Sequence, residues 1–221
     1  MNKKPNPFFS ILINIVIPVL ILLKLGKTFN LSPLLTLIIA LLFPLIYGLY
    51  QFSSRKDTNF FSILGFISIL LTGIIGIIQL PAGYIIIKET SIPLIIAFII
   101  IVFEIANFSL VKRFFNEILY IKTINKAFKQ KNKSFSKILK ISAYLIALVF
   151  LISAILNYVL AKMIIKSPTG TQEFNQEIGK MLALSFPVIA LPAVIMVILI
   201  LVFLLIKIKK HTNLDFDAIF R

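Results

Sequence analysis

Residues 181–206 read MLALSFPVIALPAVIMVILILVFLLI, twenty-six residues without a charge. Wound as a helix at about 1.5 Å per residue, the run reaches roughly 39 Å, enough to cross the ~30 Å hydrocarbon core of a bilayer. A transmembrane barrel strand would alternate apolar and polar residues over about ten positions, and this run does not. In lipid every backbone N–H and C=O must be paired inside its own segment or in a closed barrel. The run is therefore read as a spanning helix.

Working outward, five more apolar blocks follow the same pattern, at residues 8–23, 31–50, 60–80, 92–111 and 141–165. The connections 51–59, 81–91 and 167–180 are polar or punctuated by proline and glycine, as loops are. The 221 residues are 59% hydrophobic, above the ~45–50% of a soluble domain. A soluble chain of this length could bury two or three such helices but could not cover six. The expected fold is an all-α membrane protein, a polytopic bundle of about six transmembrane helices forming one domain. The first block is short, and an uncleaved anchor is expected there, because no small-residue cleavage site follows and a second span comes at once. If the first block inserts only halfway, the count falls to five.

Charge orients the spans. Seventeen of the 23 basic residues fall on one side when the flanks are numbered alternately. That side holds Lys3, Lys4, Arg55, Lys56, the nine of the 112–140 loop, and Lys207, Lys209, Lys210 and Arg221. The positive-inside rule places it, with both termini, in the cytoplasm. The net charge of +15 is accordingly assigned to anionic lipid headgroups at the cytoplasmic face, not to nucleic acid. Within residues 112–140, Phe114, Ile118, Ile121, Ile124 and Phe128 recur near helical spacing among lysines. This predicts a cytoplasmic amphipathic helix lying in the membrane interface, with Lys112, Arg113, Lys122 and Lys126 as membrane-surface contacts. A solvated basic linker and a dock for a membrane-protein partner are the alternatives.

Apolar surface alone does not drive helices together in lipid, whereas small residues and interhelical hydrogen bonds do. Thr36, Ala40, Pro44 and Gly48 make one such stripe, and Ser68, Thr72 and Gly76 another. Similar stripes are Ser10, Asn14, Pro18 in the first span, Ser153, Asn157, Ala161 in the fifth, and Ala183, Pro187, Ala190 in the sixth. Prolines at 18, 44, 187 and 192 fall inside spans and are expected to distort them, more for structure than for a cavity.

Glu104 is the only acidic residue within an expected span, and a charge at that depth is costly. With Asn107, Asn157 and Asn14 it is expected to form an intramembrane polar centre. Such a centre would couple protons or substrate, or simply tie helices together. Lys88 and Glu89, just before the fourth span, and the 167–180 loop with Glu173, Asn175 and Glu177 are two further candidates on the external side, each read as a plain loop in preference to a site. Catalytic chemistry finds no footing. Cysteine is absent, the sole histidine is His211 in the tail, and Asp57, Asp215 and Asp217 all lie outside the spans. No phosphate-binding, dinucleotide or zinc motif occurs, so no cofactor, metal or catalytic residue is expected.

The run NFFSILGFISILLTGIIGIIQLPAGYIIIKETSIPLIIAFII (59–100) and the segment LVFLISAILNYVLAK (148–162), with Asn157, resemble proteins related to intracellular septation protein A. NPFFSILINIVIPVLILLKL (6–25) and SPTGTQEFNQEIGKM (167–181) resemble uncharacterised six-span relatives of that family. The resemblance implies a Gram-negative inner-membrane protein of envelope upkeep and division, without an established reaction. The expected function is a non-enzymatic scaffold or interaction partner. The alternative is a small transporter, or a lipid- or proton-linked carrier, centred on Glu104.

Overall fold

The computed structural model describes residues 7–54, 60–131, 133–212 and 214–220. The basic residues Lys3, Lys4, Arg55, Lys56 and Arg221, and Asp57, lie outside them. Among the described residues the chain is helical, with one isolated antiparallel bridge between Leu119 and Phe220. The helices are α1 (Phe8–Thr28), α2 (Pro33–Ser54), α3 (Phe60–Ile77), α4 (Gly83–Ile105), α5 (Leu110–Ile118), α6 (Ile121–Gln130), α7 (Phe135–Ile164), α8 (Gln172–Ser185), α9 (Leu191–His211) and α10 (Phe216–Ile219). A π-helical turn, Phe186–Ala190, carries α8 into α9. Five apolar stretches are long enough to cross a membrane: α1, α2, α4, α7 and the run from α8 through α9. The apolar part of α3, Gly65–Ile77, is shorter.

Proline leaves its mark as expected in two places. Its missing N–H and its ring disturb the i→i−4 ladder one turn earlier. In α1, Pro18 sits between π turns at Leu12–Val16 and Ile21–Leu25. Pro187 lies inside the π turn that ends α8. Pro44 is absorbed within α2.

Contacts divide the chain into two compact units. One comprises residues 1–92 and 154–190, the other residues 93–153 and 191–221. The division falls inside α4 and α7.

In the first unit the small-residue stripe of α2 packs inward. Thr36 and Ala40 are fully buried, and Leu37 and Leu41 beside them meet glycines of α3. A methyl group at Gly76 would run into the Leu37 side chain, so the glycine permits this close approach. α8 begins on an N-cap in which Thr171 Oγ1 accepts from the Phe174 N–H at 3.1 Å. Its first turns then grip the α1–α2 connection. Gln172 Nε2 donates to Leu31 O (2.6 Å) and Asn175 Nδ2 donates to Pro33 O (2.7 Å). Glu177 accepts from the Lys166 and Ser167 N–H groups, both at 2.9 Å, and from Ser167 Oγ at 2.8 Å. Asn175 thus fastens α8 to the α1–α2 connection and Glu177 fastens it to the α7–α8 connection, while Glu173 reaches Lys27 at 4.0 Å.

The second unit is organised around the 110–130 segment. The single amphipathic helix expected here is two, because the chain turns extended at Leu119 and leaves helical geometry at Tyr120 as well. At that break the Tyr120 N–H donates to Ile219 O at 2.9 Å, and Leu119 and Phe220 form their bridge. Val111, Phe115, Leu119, Ile121, Ile124 and Phe128 are all buried within the protein. Phe128 packs against Phe135 and His211, with ring centroids 5.2 and 5.8 Å apart. The apolar stripe therefore faces the chain's own helices and tail, not lipid. Its register also differs from the expected one, since Phe114 points outward with 45% of its surface exposed.

Candidate functional site

The four residues expected to make one polar centre fall in both compact units of the chain. Glu104 and Asn107 belong to one compact unit, and Asn14 and Asn157 to the other. Glu104 is buried near the end of α4. Asn107 is not a turn further along that helix, because α4 stops at Ile105. The Phe108 N–H bonds Phe103 O (2.8 Å) and the Asn107 N–H bonds Glu104 O (3.2 Å), with Asn107 at φ 59°. This is the Schellman pattern with a left-handed residue past the last turn, a position asparagine tolerates well. The Phe103 and Phe108 rings, 5.6 Å apart, supply the apolar contact that accompanies it. Asn14 spends its amide within its own helix, donating to Ser10 O at 2.9 Å and to Ser10 Oγ at 3.2 Å.

A different polar centre occupies the first unit. Residues 83–91, expected as loop, are the first turns of α4, so Lys88 and Glu89 lie inside a helix and not before one. The Lys88 side chain is only 6% exposed and that of Glu89 21%. Lys88 Nζ lies 2.6 Å from Glu89 Oε1. It also donates to Thr72 Oγ1 at 2.7 Å and to Ser68 at 3.2 Å (Oγ) and 3.4 Å (backbone O). The ammonium has three N–H groups, and here they meet a carboxylate, a threonine hydroxyl and a serine. Thr72 and Ser68 are one turn apart on α3, so both face the same neighbour. Thr72 in turn donates to Ser68 O at 3.1 Å. Lys88 is the sixth residue of α4 and Thr72 precedes the last residue of α3 by five. Both therefore lie about 7.5 Å along their helices from the α3–α4 turn, at 1.5 Å per residue. Sequence reasoning offered Lys88 and Glu89 as a candidate but set them in a loop, because a Lys-Glu pair ordinarily marks one, and it did not join them to Ser68 and Thr72.

The second unit presents a basic surface. Lys112 and Arg113 on α5, and Lys122, Lys126 and Lys129 on α6, are all exposed. On α6 the three lysines, spaced four and three apart, lie on a face turned away from Ile121, Ile124 and Phe128. Ser109 caps α5, accepting from the Lys112 N–H at 3.1 Å. At the edge of this surface Lys133 Nζ lies 3.1 Å from His211 Nδ1, so the ammonium donates to an unprotonated ring nitrogen. Partial burial, then the charges of Lys133, Lys207 and Lys210, hold the imidazole below its ordinary value. His211 lies past Lys207, Lys209 and Lys210, beyond the uncharged run that ends at Ile206.

Fold and composition together define the class: an all-α, multi-pass membrane protein. Compared with family models, with curated proteins and with solved structures, the chain matches none.

Proposed function

We propose that the protein is a non-enzymatic scaffold of a bacterial inner membrane, acting in cell-envelope biogenesis or division through a cytoplasmic basic platform. The observation that carries this reading is the α5–α6 layer. Its apolar stripe is consumed inside the protein, and its cations, Lys112, Arg113, Lys122 and Lys126 among them, are turned outward. A folded layer that buries most of its apolar stripe and turns its cations outward is suited to hold a partner, either a membrane protein with an acidic face or anionic lipid headgroups. The likeness of 59–100 and 148–162 to septation protein A relatives supports the same setting, with both termini in the cytoplasm.

The test is a variant with Lys112, Arg113, Lys122 and Lys126 all changed to glutamine. It is expected to insert and fold normally but to lose partner retention and to cause division or envelope defects. Full function in that variant would overturn the reading. Glu104→Gln is expected to leave the scaffold's function intact.

A second reading, a small carrier, draws on the Lys88–Glu89 pair. Ionisable residues inside membrane helices mark substrate or ion pathways. For this reading the centre moves from Glu104 to Lys88.

A further inference from the structure

We propose that the Lys88–Glu89 pair is a binding site for a small zwitterion carrying a primary ammonium and an oxyanion. The argument begins with charge. The pair sums to zero in a place only 6% and 21% exposed. A lone anion replacing Glu89 on the lysine, or a lone cation replacing Lys88 on the carboxylate, would leave one protein charge unpaired in a poorly solvated site. That is costly. A zwitterion exchanges partners instead. Its oxyanion accepts from Lys88 Nζ, its ammonium donates to Glu89, and the sum stays at zero.

Geometry gives the exchange its direction. Two of the three Lys88 N–H groups are held by α3, at Thr72 Oγ1 and Ser68. These contacts fix the ammonium while its third N–H, the one now on Glu89, changes partner. Glu89 is the more open of the two and is the arm that swings. The neighbouring hydroxyls do not compete, since Thr90 Oγ1 donates to Ile86 O (2.8 Å) and Ser91 Oγ to Ile87 O (2.6 Å). The site lies about 7.5 Å along both helices from their shared turn. That depth is within reach of a soluble amino acid entering from the turn side, or of an ethanolamine headgroup drawn in from the adjacent leaflet. The shared chemistry is the same, and the site is independent of the basic platform.

The test uses the purified full-length chain. In detergent, its melting midpoint is followed by circular dichroism while glycine, glycerophosphoethanolamine or glycerophosphocholine is titrated. In nanodiscs, phosphatidylethanolamine is compared with phosphatidylcholine. The ammonium compounds are expected to stabilise saturably and at least ten-fold more tightly than the choline compounds, whose quaternary nitrogen has no N–H to donate. A response to glycine and glycerophosphoethanolamine in detergent assigns a soluble zwitterion. A response confined to phosphatidylethanolamine nanodiscs assigns the lipid headgroup. The paired variant Lys88→Met with Glu89→Gln is expected to lose the response. Should that variant fail to fold, Glu89→Gln alone is expected to lose the discrimination between ammonium and choline. Equal responses to both compound types, no response in either medium, or an undiminished response in the variants would overturn the proposal.

Discussion

Lys88 Nζ lies 2.7 Å from Thr72 Oγ1, a residue sixteen positions earlier in the chain and on the neighbouring helix. The bond joins α3 to α4 through a cation, inside helices that are mostly apolar. Thr72→Val keeps the shape but deprives the ammonium of an acceptor. It is expected to destabilise the protein by about 1–3 kcal/mol, read as a lower melting midpoint in detergent. Replacing the pair together, Lys88→Met with Glu89→Gln, removes both charges at once and is expected to be neutral or stabilising. A double variant less stable than Thr72→Val would contradict this view of the pair.

Asn107 offers a test of the α4 terminus. Its φ of 59° suits glycine better than any side chain. Asn107→Gly is expected to be tolerated or mildly stabilising. Asn107→Val, β-branched in the left-handed region, is expected to cost about 1–2 kcal/mol. Equal stability of the two variants would mean that α4 does not end in this cap.

Gly76 faces Leu37 with no room for a methyl group. Gly76→Val is expected to force the α2–α3 contact apart and to cost about 1–3 kcal/mol by overpacking. Gly83, with nothing near its would-be Cβ, is the control. Gly83→Ala should leave the melting midpoint unchanged or slightly raised.

The His211 contact sets a pH dependence. The docked imidazole titrates below its ordinary value of 6.5, so the released tail takes up a proton first as pH falls. Docking of the α9 end against Phe128 and Lys133 is therefore unaffected above pH 6.5. It weakens as pH drops through that value, and the loss is complete below the lowered one. The Tyr120 N–H is bonded to Ile219 O, and its protection factor against hydrogen exchange is expected to fall over that window in the wild type once the intrinsic pH dependence of exchange is divided out. His211→Phe keeps the ring contact and should abolish the fall.

These residues also show what the sequence reveals and what it withholds. Long uncharged runs find helices by themselves, and 181–206 falls inside the stretch from α8 through α9. Charge misplaces their ends. Lys88 and Glu89 suggested a loop because charge in lipid is costly, but the two neutralise each other within the helix, and the hydroxyls of Thr72 and Ser68 that complete the site lie a helix away, where no local pattern points. The end of α4 was misplaced too, since the expected span ran on to residue 111 with Asn107 inside it, although Phe103, Asn107 and Phe108 are the residues that form the cap. The 112–140 stripe was half legible. Ile121, Ile124 and Phe128 are buried as their spacing implied, but whether lipid or protein covers them depends on the distant Phe135, His211 and Ile219.

The π turns of α1 bear on how this segment tolerates change in length. Each closes its hydrogen-bonded ring over five residues instead of four and so stores one residue beyond an ordinary turn. Deleting a residue within Leu12–Val16 can be absorbed by winding that turn down to an α turn. The same deletion in an unbroken helix would rotate every later side chain by about 100°. The first span therefore carries its own slack, on either side of Pro18.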